Sequence, residues 1–267
     1  MTTTRVRRPR RGAARWLAAA CVVALVCLVG GCTADAGGDD HPEKRAFTLH
    51  GPTLTVDSEN SAVEVVPVDG RQVRVTRWFK GRVVLGGSPS ASWQWHDDRL
   101  TLRMKCSGMV ADCSARYRVE VPRDAAVHIR NEDGSVSARG IGTALKVVTA
   151  NGSVRAEDCS GPLDMQSEDG SVAAGGITGH QVHAVTKNGS IKLGLRRVPD
   201  EVTTRSEDGS TEITLPRSGA DGSPIAYKVT VTTTDGGKEI DVPRDDHSPH
   251  QVSAHSQNGK VTLRSAN

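Results

Sequence analysis

The sequence predicts an all-β protein: a right-handed parallel β-solenoid of stacked repeats, with an antiparallel β-sandwich as the alternative. Three observations predict it. Short runs alternate apolar and polar residues, as in Val63-Glu64-Val65, Val73-Arg74-Val75 and Tyr117-Arg118-Val119-Glu120-Val121. Such period-two alternation marks half-buried strands. Seven of the Asx-Gly pairs in the second half recur with glycines at 134, 152, 170, 189, 209, 236 and 259, spaced 18, 18, 19, 20, 27 and 23 residues apart. Beyond residue 45 no stretch sustains a helical period.

Residues 1–31 read as a targeting segment. Six arginines (Arg5, Arg7, Arg8, Arg10, Arg11, Arg15) precede an apolar run from Trp16 to Val29, short for a membrane span and suited to a signal-peptide core. The run ends Leu28-Val29-Gly30-Gly31-Cys32. Small residues before a cysteine resemble the lipobox of bacterial lipoproteins, which implies cleavage before Cys32 and lipidation of its thiol. An ordinary signal peptide with an incidental cysteine is the alternative. Residues 32–45 are polar with Gly and Pro and read as a flexible, lipid-anchored tether. The expected address is the extracytoplasmic face of the cell membrane.

Losing the signal reverses the charge. Of 34 Lys+Arg, six leave with it, and the remaining 28 face 31 Asp+Glu, a net of −3. The basic excess belongs to the leader, so nucleic acid is not an expected partner.

Residues 46–125 form an N-terminal β region and residues 126–267 the solenoid. Aligning the repeats on their glycines gives columns. Before the Asx stand a hydroxyl or amide (Asn131, Thr149, Ser167, Thr186, Ser206, Thr233, Ser256) and two apolar positions, beginning Val127/Ile129, Leu145/Val147 and Leu163/Met165. After the Gly stand Val136, Val154, Val172, Ile191, Thr211 and Val261, while the copy at Asp235 breaks this column. Residues two apart share a strand face. Columns that match in one chain direction favour parallel stacking over hairpins. Low aromatic content (3 %) suits thin layers of Val, Ile, Leu and Ala.

The Asx column alternates through its first five members, Asp133, Asn151, Asp169, Asn188 and Asp208. Alternation would keep like charges two rungs apart. Interchangeable turn formers would give the same letters by chance.

The cysteines sort by position. Cys21 and Cys27 leave with the signal. Cys106 and Cys113 flank a short link in an exported chain and read as a disulfide closing a hairpin. Cys159 falls in an apolar column and reads as a buried, inert thiol.

Catalytic signatures are missing: there is no Gly-x-Ser-x-Gly, His-Glu-x-x-His, phosphate loop or Cys-x-x-Cys. The chain is therefore read as a non-enzyme with no cofactor. Three acidic turns (Glu132/Asp133, Glu168/Asp169, Glu207/Asp208) leave calcium as a weak alternative and paired-carboxylate glycan cleavage as a weaker one. Trp93 and Trp95 share a strand face and read as core or end-cap rings rather than a sugar platform. His247 and His250 sit close in a Pro-containing loop and read as surface residues.

The lipobox, the Cys106–Cys113 pair, the Tyr117-Arg118-Val119-Glu120-Val121-Pro122 run and the serial Asx-Gly-Ser repeats resemble the bacterial "putative adhesin" family, a domain of unknown function with lipoprotein members. The resemblance spans residues 46 to 265. It implies a non-catalytic binding, adhesion or spacer surface, with a cell-wall glycan or surface protein as partner. An envelope-signalling or stress docking module is the second reading, and a carbohydrate-active enzyme the third.

Overall fold

The computed structural model describes residues 36–266. The expected signal peptide, Cys21, Cys27 and Cys32 lie outside the described residues. A single helical turn, Ala36–Gly38, precedes the strands. The first seven are β1 (Glu43–Thr48), β2 (Thr53–Asn60), β3 (Ala62–Val68), β4 (Gln72–Gly86), β5 (Ser90–His96), β6 (Arg99–Lys105) and β7 (Gly108–Pro122). Then follow β8 (Ala126–Asp133), β9 (Val136–Arg139), β10 (Leu145–Asn151), β11 (Val154–Glu157), β12 (Leu163–Ser167), β13 (Val172–Ile177) and β14 (Gln181–Asn188). The last are β15 (Ile191–Leu195), β16 (Glu201–Asp208), β17 (Thr211–Leu215), β18 (Lys228–Thr233), β19 (Lys238–Asp241), β20 (Gln251–Ser256) and β21 (Val261–Ser265).

These strands form two mixed sheets. One runs β1-β4-β7-β3-β9-β11-β13-β15-β17-β21-β19, the other β18-β20-β16-β14-β12-β10-β8-β2-β6-β5. The β8 sheet supplies one strand of each rung and the β9 sheet the other. Consecutive repeats pair in parallel without offset: Leu145 sits beside Val127 and Leu163, and Val154 beside Val136 and Val172. Parallel pairing rules out the hairpin sandwich for the repeats. Antiparallel pairs occur at the N-terminal end, between β1 and β4, β4 and β7, and β5 and β6.

The core lies between the sheets. The columns read from the sequence point into it: Val127, Ile129, Leu145, Val147, Leu163, Met165, Val136, Val154 and Val172 are all buried. Cys159 is buried in line with Ile141 and Ile177, and burial pushes its thiol pKa up, as an inert residue requires. The N-terminal end is closed by rings. Phe47 on the edge strand of one sheet stacks on Trp95 on the edge strand of the other, 4.9 Å apart and 7° from parallel. Trp93 lies beneath, buried at 7 % exposure and beside Tyr117. At the other end Tyr227 is buried and donates its hydroxyl to the Pro216 carbonyl at 2.8 Å.

Three features differ from the expectation. The segment read as a tether is drawn onto the fold early: Ala36 is buried, and Glu43–Thr48 pair with β4. Strand β7 starts at Gly108, so most of the expected Cys106–Cys113 link is strand, paired to β4 and not to β6. The disulfide itself is present. The rungs also do not stack in chain order. Strands β20 and β21 insert between β16/β17 and β18/β19. Composition explains the insertion. Val252, Ala254, Val261 and Leu263 are fully apolar inward residues, whereas Lys238 takes the place beside Val261 in the outer rung. The polar rung caps the stack, and its edge lysines, Lys228 and Lys238, discourage edge-to-edge pairing.

Because β18 pairs only with β20 and β19 only with β21, deleting residues 251–267 should release residues 228–241 as well. Limited proteolysis should then trim the truncated chain back to Leu215, while the intact chain resists; a protected 228–241 segment would contradict the inserted order.

Candidate binding face

Each corner is built by three rows of side chains. The innermost is the hydroxyl row, buried beneath the turn. Ser167, Thr186, Ser206 and Ser256 donate to the carbonyls of Gly152, Gly170, Gly189 and Gly209 in the neighbouring rung. Asn131 instead donates to Gly134 in its own rung at 2.7 Å. That carbonyl is the one Thr149 would reach, which accounts for the unpartnered Thr149 hydroxyl.

The next row is glycine. A Cβ on Gly152, Gly170, Gly189, Gly209, Gly259 or Gly236 would stand 1.9–2.3 Å from the glycine carbonyl of the adjacent rung. Of the corner glycines only Gly134 has a positive φ, +115°. Glycine is selected here chiefly by the approach of rungs, not by turn conformation.

The outer row is Asx. Insertion of the C-terminal rung makes its spatial order Asn60, Asp133, Asn151, Asp169, Asn188, Asp208, Asn258, Asp235. The alternation read through five members thus runs through eight neighbours. Three of the four Asp are acceptors: Asn151 donates to Asp133 at 2.8 Å, Asn188 to Asp169 at 2.5 Å and Asn258 to Asp208 at 2.5 Å. Alternation supplies a donor for these three carboxylates as well as separating charges.

The solvent face of the β8 sheet beside this corner holds an open groove of about 560 Å³. Its wall nearest the turns is the row Glu59, Glu132, Ala150, Glu168, Lys187 and Glu207. The next row carries Asp57, Arg130, Val148, Gln166, Val185 and Arg205, with Arg103 at one end. Arg103 pairs with Glu59 at 2.8 Å, and Arg99 pairs with Asp57. Acids and bases are mixed along it, so neither sign dominates. The adjoining row holds His128, Lys146, Asp164 and His183. Burial, with Arg130 and Lys146 nearby, holds the His128 pKa below its ordinary value. Burial would raise Asp164, but Lys146 at 2.8 Å and Gln166 at 2.9 Å keep it low.

The acidic turns flagged by the sequence therefore split by direction. Glu132, Glu168 and Glu207 line the groove, while Asp133, Asp169 and Asp208 sit in the Asx row. Among the described residues, no cluster of three or more His, Cys, Asp or Glu is arranged to hold a metal ion. His250 is tied to the fold, edge-on to Tyr227 with its ring nitrogen on the Pro199 carbonyl. Sequence reasoning missed Arg103, Arg130 and Arg205, and it missed the rung β2/β3. That rung was legible: Val56-Asp57-Ser58-Glu59-Asn60-Ser61-Ala62-Val63 follows the pattern of Ile129-Arg130-Asn131-Glu132-Asp133-Gly134-Ser135-Val136, with Ser61 in the glycine place.

Fold and corner chemistry define an all-β, solenoid-like repeat protein. The Toastrack family, DUF4097, matches residues 120–266, more than half of the chain, and the chain belongs to that family. No curated protein matches it. A crystal structure of a "putative adhesin" from Bacteroides fragilis NCTC 9343 is similar at 14 % identity, covering 85 % of this chain and 98 % of that one, with a TM-score of 0.53. A "putative cell adhesion protein" from Clostridium sporogenes ATCC 15579 aligns at 10 % identity over 85 % of this chain and 100 % of that one, with a TM-score of 0.38. The first likeness supports the fold.

Asn188→Asp should place three carboxylates in adjacent rungs and remove one donor, costing about 1 kcal/mol at neutral pH. Urea denaturation checks it: the loss should shrink at pH 3 or in molar salt, and an equal loss under all conditions would contradict the electrostatic account.

Proposed function

We propose that this chain is exported, lipid-anchored through Cys32 at the extracytoplasmic membrane face, and presents a right-handed solenoid as a non-catalytic adhesive or spacer surface. The observation that carries the binding role is the groove on the β8 sheet. It is rigid, because every lining strand is paired on both sides from β2 to β16. It is open, and lined by hydrogen-bonding groups of both charges interspersed with Val148, Ala150 and Val185. Such a lining suits a polar polymer with neutral hydroxyl groups, and a cell-wall glycan is the partner we favour. The names of the similar structures agree with adhesion. Trp93 is buried and the half-buried Trp95 is covered by Phe47, so polar side chains would do the binding.

Co-sedimentation of residues 33–267 with purified wall fractions tests this. Saturable binding is expected, unchanged by chelator, and weakened about tenfold by Gln166→Ala with Arg205→Ala, a loss of ~1.4 kcal/mol. Lys192→Ala on the opposite sheet should change nothing. Stoichiometric capture of one membrane protein without wall binding would favour the docking reading instead. Glycan turnover lost in Asp169→Asn or Asp208→Asn would overturn both in favour of an enzyme.

A further inference from the structure

Strands β4 and β7 run past the core as a two-stranded ribbon, paired from Arg74↔Glu120 out to Gly86↔Gly108. Its neck is held at one level. Cys113 pairs with Gly81, the Cys106–Cys113 disulfide crosses there, and Pro89 lies so close to Gly81 that a Cβ would meet it at 2.7 Å. Beyond the neck the ribbon is a tongue about five residues long; Gly108 is two residues from Cys106, whose Cα lies 6.1 Å from that of Cys113, so the tongue's end stands at most about 13 Å from the neck.

The tip of this tongue is apolar and bare. Val84, Leu85, Met109 and Val110 are 48 %, 77 %, 82 % and 63 % exposed, and they are the exposed large hydrophobics among the described residues. Leu85 also holds a left-handed backbone, φ 54°, where a leucine is costly. Behind the tip stand exposed cations, Arg82 across from Asp112, then Lys105 and Lys80. A contiguous apolar tip with a basic collar has the order of an interfacial membrane insert: apolar atoms pass the headgroups and cations meet anionic phosphates.

The chain's own start points to the same occupant. The turn Ala36–Gly38 lies against the neck: Asp39 accepts from the Phe79 amide at 3.0 Å, and a Cβ on Gly38 would stand 2.7 Å from the Lys80 amine. Cys32 is four residues before Ala36, a reach of at most about 14 Å. That is close to the tongue's own length. A lipid on Cys32 and the tongue tip can therefore enter one bilayer surface together.

We propose that the disulfide-necked tongue inserts into the lipid headgroup region beside the lipidated N-terminus, as a second attachment that orients the solenoid on the membrane. The orienting role rests on the lipid-anchor reading; the tongue's affinity for lipid does not.

The test uses the full processed chain in vesicles of phosphatidylcholine and phosphatidylglycerol with brominated acyl chains. Ser88→Cys in the tongue carries an environment-sensitive dye; Asp221→Cys, in the loop before β18, carries it as control. Cys159 is buried and Cys106 and Cys113 are bonded, so labelling is selective. Quenching is expected to be several-fold stronger at Ser88 than at Asp221, and to disappear in Leu85→Asp with Met109→Asp while the chain still floats with vesicles. A floating chain with no quenching at Ser88 would overturn the tongue and leave the anchor standing. Quenching that survives in Cys32→Ser would support the tongue as a lipid contact independent of the anchor. A blue shift without lipid quenching would put a second copy or another protein on the tip, and overturn the proposal.

Discussion

The rest of this structure depends on one constraint: backbone carbonyls and glycine Cα atoms of successive rungs touch at the corner. Strands within a sheet sit about 4.8 Å apart, and a side chain at that corner would hold them further apart. Each glycine therefore admits the next rung, and the hydroxyl row below ties the same carbonyls down with hydrogen bonds. Burying those carbonyls without donors would cost more than the bonds gain, so the two rows are selected together. The Asx row outside them adds a donor for Asp133, Asp169 and Asp208 and keeps equal charges two rungs apart.

This constraint also accounts for the inserted final rung. Its Asn258 belongs between two aspartates and its Val261 and Leu263 belong in a closed core, both of which the insertion provides. The Asp235 rung, with Lys238 where the others bury Val, Ile or Thr, fits only at an end. The N-terminal end follows the same economy: the rung β2/β3 lies inside, while β4 to β7 pass outside it and close the stack with Phe47, Trp93 and Trp95. Both chain ends thus place their most apolar rung inward and their least regular segment outward.

Much of the architecture was legible in the letters. Columns at fixed spacing fixed the inward face residue by residue, from Val127 to Val252, because a strand's alternation leaves no other face for them. The parallel direction followed from columns that never reverse. Rung order was not legible, because a period gives neighbours in sequence and the pairing chooses neighbours in space. The rung β2/β3 escaped because Ser61 replaces the glycine that marks the others. The tongue escaped because Val83-Val84-Leu85 reads like any core strand; only the pairing of β4 with β7 reveals that, among the described residues, nothing covers it. Groove residues such as Arg130 and Arg205 were visible only as polar, since strand faces are assigned by sequence but grooves by three-dimensional spacing.

Comparing Gly170→Ala with Gly222→Ala tests the central claim most directly. Gly222 has a positive φ of +79° and open space around it, whereas a Cβ on Gly170 meets the Gly152 carbonyl at 2.2 Å. By urea denaturation the account predicts a loss of about 3 kcal/mol or failure to fold at Gly170, against about 1 kcal/mol of backbone strain at Gly222. Equal, small losses at both would show that the corner glycines serve the turn and not the approach of the rungs.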